Sequence, residues 1–158
     1  AAEKTCIELG YEPIILTSSL CCEAREAGSF LASIAQYHSK TNKSLAFIAG
    51  GETIVHVKGK GKGGRNQELA LSSAIGIAGL KNTAIFSIGS DGTDGPTDAA
   101  GGYVDGQTKY ILDGKGISIF DVLENNDAYN ALKECNGLII TGPTGTNVND
   151  LSVLLIKR

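Results

Sequence analysis

At 158 residues the chain is long enough for one domain with a single sound core. Its formal charge of -3 supplies no strong field for nucleic acid or anionic lipid. No apolar run approaches the roughly 18 residues that a membrane span needs, and the first residues lack a signal-peptide apolar region, so a cytoplasmic protein is expected.

Four cysteines, Cys6, Cys21, Cys22 and Cys135, lack metal-type spacing, and adjacent Cys21-Cys22 does not resemble a secreted disulfide framework. Reduced structural thiols are expected. The 21 glycines exceed an average share of about 7% and cluster at strand ends, which argues for shaped loops. With Ala1-Ala2 at the start and no methionine, the chain is expected to be a piece of a longer protein.

Residues 2–9 read as a short helix and Glu12 to Leu16 as a strand. Over 23–39, Ala24, Ala27, Leu31, Ile34 and His38 recur at helical spacing. Ser44 to Ala49 is an apolar strand ending in Gly50-Gly51, and residues 53–58 predict a second strand after a tight turn, with His56 in its middle. A helix from about Asn66 to Ala78 is apolar nearly all round, hence buried. Thr83 to Ile88 is a strand, and Gly101 to Asp105 is ambiguous between helix and strand. Two short helices, 117–124 and 127–134, break at Asn125-Asn126. Leu138 to Thr141 and residues 151–156 are the last strands. The alternation predicts an α/β fold: a mixed, mainly parallel sheet with helices on both faces.

Four polar or glycine-rich segments follow these strands: 50–53, 59–68, 89–101 and 141–150. Ligands of open α/β sheets gather beyond the carboxyl ends of strands, so repeated loops of this kind point to one shared site. In 59–68, Lys58, Lys60, Lys62 and Arg65 alternate with Gly59, Gly61, Gly63 and Gly64. Backbone N–H groups there, with the following helix N-terminus, suit an anion cradle, and Arg65 can grip a phosphate or carboxylate bidentately. A solvated basic hairpin tip is the plainer alternative. Gly59-x-Gly61-x-x-Gly64 matches a dinucleotide fingerprint formally, but Ala84 stands where an acid is needed, and Arg65-Asn66 replaces the Lys-Ser/Thr of a Walker A loop.

In 89–101, Asp91, Asp94 and Asp98 do not fit a calcium loop. Magnesium is plausible, because it commonly takes one or two carboxylates and completes its shell with water and phosphate. One aspartate could instead accept a hydroxyl proton, and Asx-turns or helix capping would account for others. Residues 141–147 form a second candidate nest, with Asn147, Asn149 and Asp150 as further polar groups. Glu52 is an acid placed on a tight turn between two strands, with capping or turn stabilisation as the plainer reading. His38 ends a helix, where a cation is favoured anyway.

Gly50-Gly51-Glu52-Thr53, Gly61-x-Gly63-Gly64-Arg65-Asn66-Gln67-Glu68, Asp91-Gly92-Thr93-Asp94-Gly95-Pro96-Thr97-Asp98-Ala99-Ala100-Gly101 and the run from Thr141 to Asp150 occur together and in this order. That combination resembles the type-2 glycerate kinase family, and within it the C-terminal MOFRL domain, strongly over 45–158 and more loosely over 1–40. The resemblance implies ATP-dependent phosphorylation of D-glycerate at its 2-hydroxyl with Mg²⁺, in a cleft shared with a larger N-terminal domain. It implies that Arg65 and Asn66 meet the glycerate carboxylate or the transferring phosphoryl group, and that Asp91 and Asp94 act around Mg²⁺ or the 2-hydroxyl. Glu52 is another candidate acid. Lys60, Gly63, Gly64, Thr93, Thr144, Gly145, Thr146 and Asn147 would shape the substrate or phosphate pocket. An NAD(P)H-dependent hydroxypyruvate reductase and a non-catalytic module binding a small acid are the alternatives.

Overall fold

The computed structural model describes residues 1–158. In chain order its elements are α1 (Ala2–Glu8), β1 (Glu12–Leu20), α2 (Ala24–Tyr37), β2 (Leu45–Gly51), α3 (Arg65–Ile77), β3 (Thr83–Gly89), β4 (Gly101–Asp105), α4 (Thr108–Gly114), α5 (Ile119–Glu124), α6 (Ala128–Glu134), β5 (Leu138–Ile139) and β6 (Asp150–Ile156). One six-stranded sheet runs in the order β1-β2-β6-β3-β4-β5.

The α/β class and the mixed sheet agree with the sequence reading; the predominance of parallel pairing does not. Only β1 and β2 pair in parallel, and the other four neighbouring pairs are antiparallel. The cause is β6, which inserts between β2 and β3 against their direction. A central strand buried on both faces carries the same apolar run whichever way its neighbours point, so composition did not reveal this.

Alternation along the strands builds two unequal cores. Leu45 and Phe47 of β2, Ile85 of β3, Val104 of β4, and Leu154 and Ile156 of β6 meet residues of α2 through α6 in the larger one. The smaller core holds Cys6 of α1 with Ala46, Ile48 and Val153. Helices therefore lie on both faces, but α1 has the second face to itself. α3 is buried nearly all round, as expected: Leu69, Leu71, Ala74 and Ile77 are sequestered, and so are Asn66, Gln67 and Glu68. No helix is long and apolar enough to cross a membrane.

Residues 53–58 are not a strand. Ile54 alone forms an isolated bridge, to Glu23, because both edges of β2 are already taken by β1 and β6. His56 consequently lies in irregular chain, and Glu52 is not on a tight turn between two strands. The ambiguous 101–105 segment is β4, while the strand expected over 138–141 shrinks to two residues. Helix α4 had no sequence signal: it buries only Thr108 and Leu112, and Asp105 caps its start by accepting from the Gln107 and Thr108 N–H groups.

Candidate functional site

Strand register assembles the site. Asp150, the first residue of β6, stands opposite Gly51 of β2 and Gly89 of β3, so the ends of three central strands meet in one row. Arg65, at the start of α3, reaches the Asp150 side chain. Arg65 donates from Nε to Asp150 Oδ2 (2.6 Å) and from Nη2 to Asp150 Oδ1 (3.0 Å), while Nη1 lies 3.2 Å from Glu52 Oε1. The Asp150 bond raises the Arg65 pKa further above its ordinary value, which keeps the guanidinium fully charged.

Asp94 is buried behind this cluster. Its Oδ1 accepts from the Asn66 backbone N–H (3.1 Å) and the Asn66 amide (3.3 Å), and its Oδ2 accepts from the Gln67 N–H (2.9 Å). It thereby occupies the donors at the N-terminus of α3. Burial pushes its carboxyl above the ordinary range, against the pull of those donors. Asn66 continues inward: its Oδ1 accepts from Ser87 (2.6 Å), and Ser87 bonds Ser152 (2.7 Å). Asn66, Ser87 and Ser152 thus satisfy one another and fix α3 against β3 and β6, while the neighbouring Gln67 Oε1 is left without a partner.

Of the anion cradle expected over 59–68, the backbone N–H groups of residues 58–62 are already engaged. The Lys58 and Gly59 N–H groups donate to Asn126 Oδ1 (2.8 and 2.9 Å), Lys60 to Asn125 Oδ1 (3.1 Å), Gly61 to the Asn125 carbonyl (2.8 Å) and Lys62 to Asp127 Oδ1 (2.8 Å). Asn126 also donates to the His56 carbonyl (3.3 Å) and to buried Glu68 (3.1 Å), and Glu68 pairs with Arg25 (3.2 Å). The glycines serve this contact: a Cβ at Gly59 would lie 2.2 Å from the Asn125 carbonyl oxygen, and one at Gly61 would lie 2.4 Å from Asp127 Cβ. Residues 56–62 are a strap clasped by the turn between α5 and α6.

The two remaining loops lie side by side. Ser90 N–H donates to the Asn149 carbonyl, and Val148 N–H donates to Ser90 Oγ. Thr144 and Thr146 both direct hydroxyls at the Ser90 carbonyl. Asn147 accepts from Asn149 N–H, and Gly145 has open space around it. Asp91 is at the surface, where Oδ1 accepts from the Thr93 N–H (2.9 Å) and hydroxyl (3.1 Å). That N–H holds its carboxyl below the usual range. Asp98 accepts from the Tyr129 hydroxyl (2.7 Å), which lowers it likewise.

A cleft of about 670 Å³ opens beside Arg65, lined by Glu52, Thr53, Val55, Gly63, Gly64 and Asp94 among others. Thr53, 4% exposed, has no partner for its hydroxyl. No three His, Cys, Asp or Glu side chains converge as a metal cluster. Both Asp94 oxygens are bound to α3, whereas Asp91 engages only Oδ1, so of the two aspartates Asp91 alone keeps an oxygen that could meet a cation.

Of the residues singled out from sequence, Glu52, Gly63, Gly64, Arg65 and Asp94 border the cleft. Asp91, Thr93, Thr144, Gly145, Thr146 and Asn147 belong to the neighbouring loop pair, Asn66 is buried beneath, and Lys60 is exposed on the strap. Two residues organise this region beyond what the sequence singles out. Asp150 is an acid opening an apolar strand, which is its sequence signal. Asn126, at the break between two short helices, adopts a positive φ (53°), as a left-handed helix exit favours.

A model of the MOFRL family matches residues 45–150. A D-glycerate 2-kinase of Thermotoga maritima is 55% identical over 98% of this chain and 38% of its own length. A glycerate 2-kinase of Pyrococcus horikoshii is 46% identical over 94% of this chain and 34% of its own. The crystal structure of a Thermotoga maritima glycerate kinase superimposes with a TM-score of 0.96, covering 99% of this chain and 39% of that one. The chain thus spans well under half the length of the relatives it matches.

Proposed function

This chain belongs to the MOFRL family, and we propose that it forms one wall of the phosphoryl-transfer cleft of a glycerate 2-kinase. The reaction is ATP-dependent phosphorylation of D-glycerate on its 2-hydroxyl, giving 2-phosphoglycerate. The observation that carries this reading is the row Gly51–Asp150–Gly89, which gathers Glu52 and Arg65 at the mouth of a cleft large enough for a polar metabolite and part of a nucleotide.

Arg65 is the anion-recognising group, because it offers a permanently charged, planar donor set suited to carboxylate or phosphoryl oxygens. Asn66 supports it from below. Asp91, exposed and held ionised, would contribute one carboxylate to Mg²⁺, with phosphate and water as the other ligands. Bound there, Mg²⁺ would neutralise charge on the transferring phosphoryl group. Asp94 acts by anchoring α3, and so by fixing where Arg65 begins. Thr93 and residues 144–147 shape the adjoining pocket edge, and the unpartnered Thr53 hydroxyl is available to a ligand hydroxyl.

Phosphoryl transfer needs charge neutralisation from several directions, and this chain offers it from one. The opposite wall is assigned to a further domain of the same protein, in keeping with the greater length of the relatives. Four free cysteines suit a reducing, cytoplasmic setting. The deciding experiment is a pair of coupled assays on the full-length protein. ADP release on adding D-glycerate is the expected result; NADH oxidation with hydroxypyruvate in its place would reject the kinase reading.

A further inference from the structure

Arg65 touches two carboxylates of very different character. Asp150 has a side chain only 6% exposed, rooted at the first residue of a central strand, and it takes two parallel bonds from Nε and Nη2. Glu52 is 57% exposed, follows the end of β2 in irregular chain, and takes a single contact from Nη1 at 3.2 Å. A buried bidentate pair is geometrically restrictive, whereas a solvated single contact contributes little and exchanges readily.

We propose that Asp150 is the positioning residue for Arg65, and that Glu52 is a placeholder displaced when a carboxylate or phosphoryl oxyanion binds. The inference rests on the reading of Arg65 as the anion-recognising group. Asp150 locks one edge of the guanidinium, so the remaining Nη1 edge projects along one direction toward the cleft. The Ser152–Ser87–Asn66 bonds, two residues further along β6 and β3, pin the same strands to α3. Glu52 presents to Nη1 the chemical group that an anionic ligand would present. The resting site is therefore filled by its own acid.

The two acids predict opposite signs, which separates positioning from plain electrostatics. The probe is inorganic phosphate titrated into the 158-residue chain, followed by the Arg65 Nε–H signal in NMR. Glu52→Gln removes a competitor and should tighten phosphate binding about two- to fivefold. Asp150→Asn removes a negative charge, so electrostatics alone would tighten binding; loss of positioning should instead weaken it about tenfold. Water exchange of the Arg65 Nε–H should also quicken in Asp150→Asn and stay slow in Glu52→Gln. Should Asp150→Asn unfold, Asp150→Glu keeps the charge but moves the carboxylate, and should weaken binding similarly. Tighter or unchanged binding in the Asp150 variants overturns the proposal, as does an unchanged affinity in Glu52→Gln or a failure of both wild type and Glu52→Gln to bind. If Arg65→Ala binds phosphate as well as wild type, the assignment of Arg65 itself fails instead.

Discussion

The strap at 56–62 and the Glu52–Arg65–Asp150 cluster border one cleft, and both carry the glycines and cations that suggest an anion site. In the strap, the backbone N–H groups of residues 58–62 are donated to the turn at 125–127. In the cluster, a guanidinium edge faces only a solvated acid. The difference teaches that a glycine-lysine alternation describes a binding nest only if its donors are free. The same glycines serve equally well for close backbone packing, and here they do so.

The sharpest way to break this contrast is to remove Arg65. In the full-length enzyme, Arg65→Ala should lower the rate of ADP release on the order of 10³-fold, and it should also lower the unfolding midpoint, because nearly buried Asp150 loses its partner. The 158 residues alone should show no measurable turnover, because one wall neutralises charge from one side; steady ADP formation by the isolated chain would refute the cleft model.

Asn126→Ala attacks the strap instead. It deletes two acceptor and two donor contacts and leaves buried Glu68 without one partner, so stability should fall by about 2–3 kcal/mol. Urea denaturation measures that loss, and hydrogen exchange should show amides 58–62 deprotected while α3 stays protected. Gly61→Ala should cost about 1–3 kcal/mol by forcing the strap off Asp127. By contrast, Gly114→Ala, where nothing lies within 4 Å of the new methyl, should stay within about 0.5 kcal/mol. Lys60→Ala belongs to that small class too, and an effect on phosphate binding as large as that of Arg65→Ala would restore the strap as an anion site.

The smallest effects concern pH. Burial holds the Asp94 and Glu68 carboxyls above the ordinary range, whereas the Thr93 N–H holds Asp91, and the Tyr129 hydroxyl Asp98, below it. On acidification, carboxyl NMR should show Asp94 and Glu68 protonating first and Asp91 and Asp98 last. For the raised pair, the folded chain binds protons before the unfolded chain does. Their contribution to stability is therefore fully present below the ordinary carboxyl range and is lost as pH rises through the raised values. For Asp91 and Asp98 it is present above that range and lost as pH falls through the depressed values. Simultaneous titration of all four would contradict the structure.

Periodicity and composition placed α1, α2, α3 and the central strands, because apolar spacing within one segment is a local property. Local sequence also marked Glu52, Arg65, Asp91 and Asp94 as polar groups at strand ends, where no core needs them. It did not separate the four by role. Asp94 and Asp91 stand three residues apart in one loop, yet one is sealed against the N-terminus of α3 and the other is open to water. That division depends on how the loop packs against a helix beginning nearly thirty residues earlier.

By itself, then, the sequence determined the α/β class, the positions of α1, α2, α3 and the central strands, the motif set and the family to which those motifs belong. Tertiary structure alone decided that β6 inserts antiparallel between β2 and β3, that the strap gives its donors to 125–127, and that Asp150 locks Arg65. The physical reason is the same in each case. A hydrogen-bonding group has many possible partners along a chain, and only the close approach of distant segments selects one.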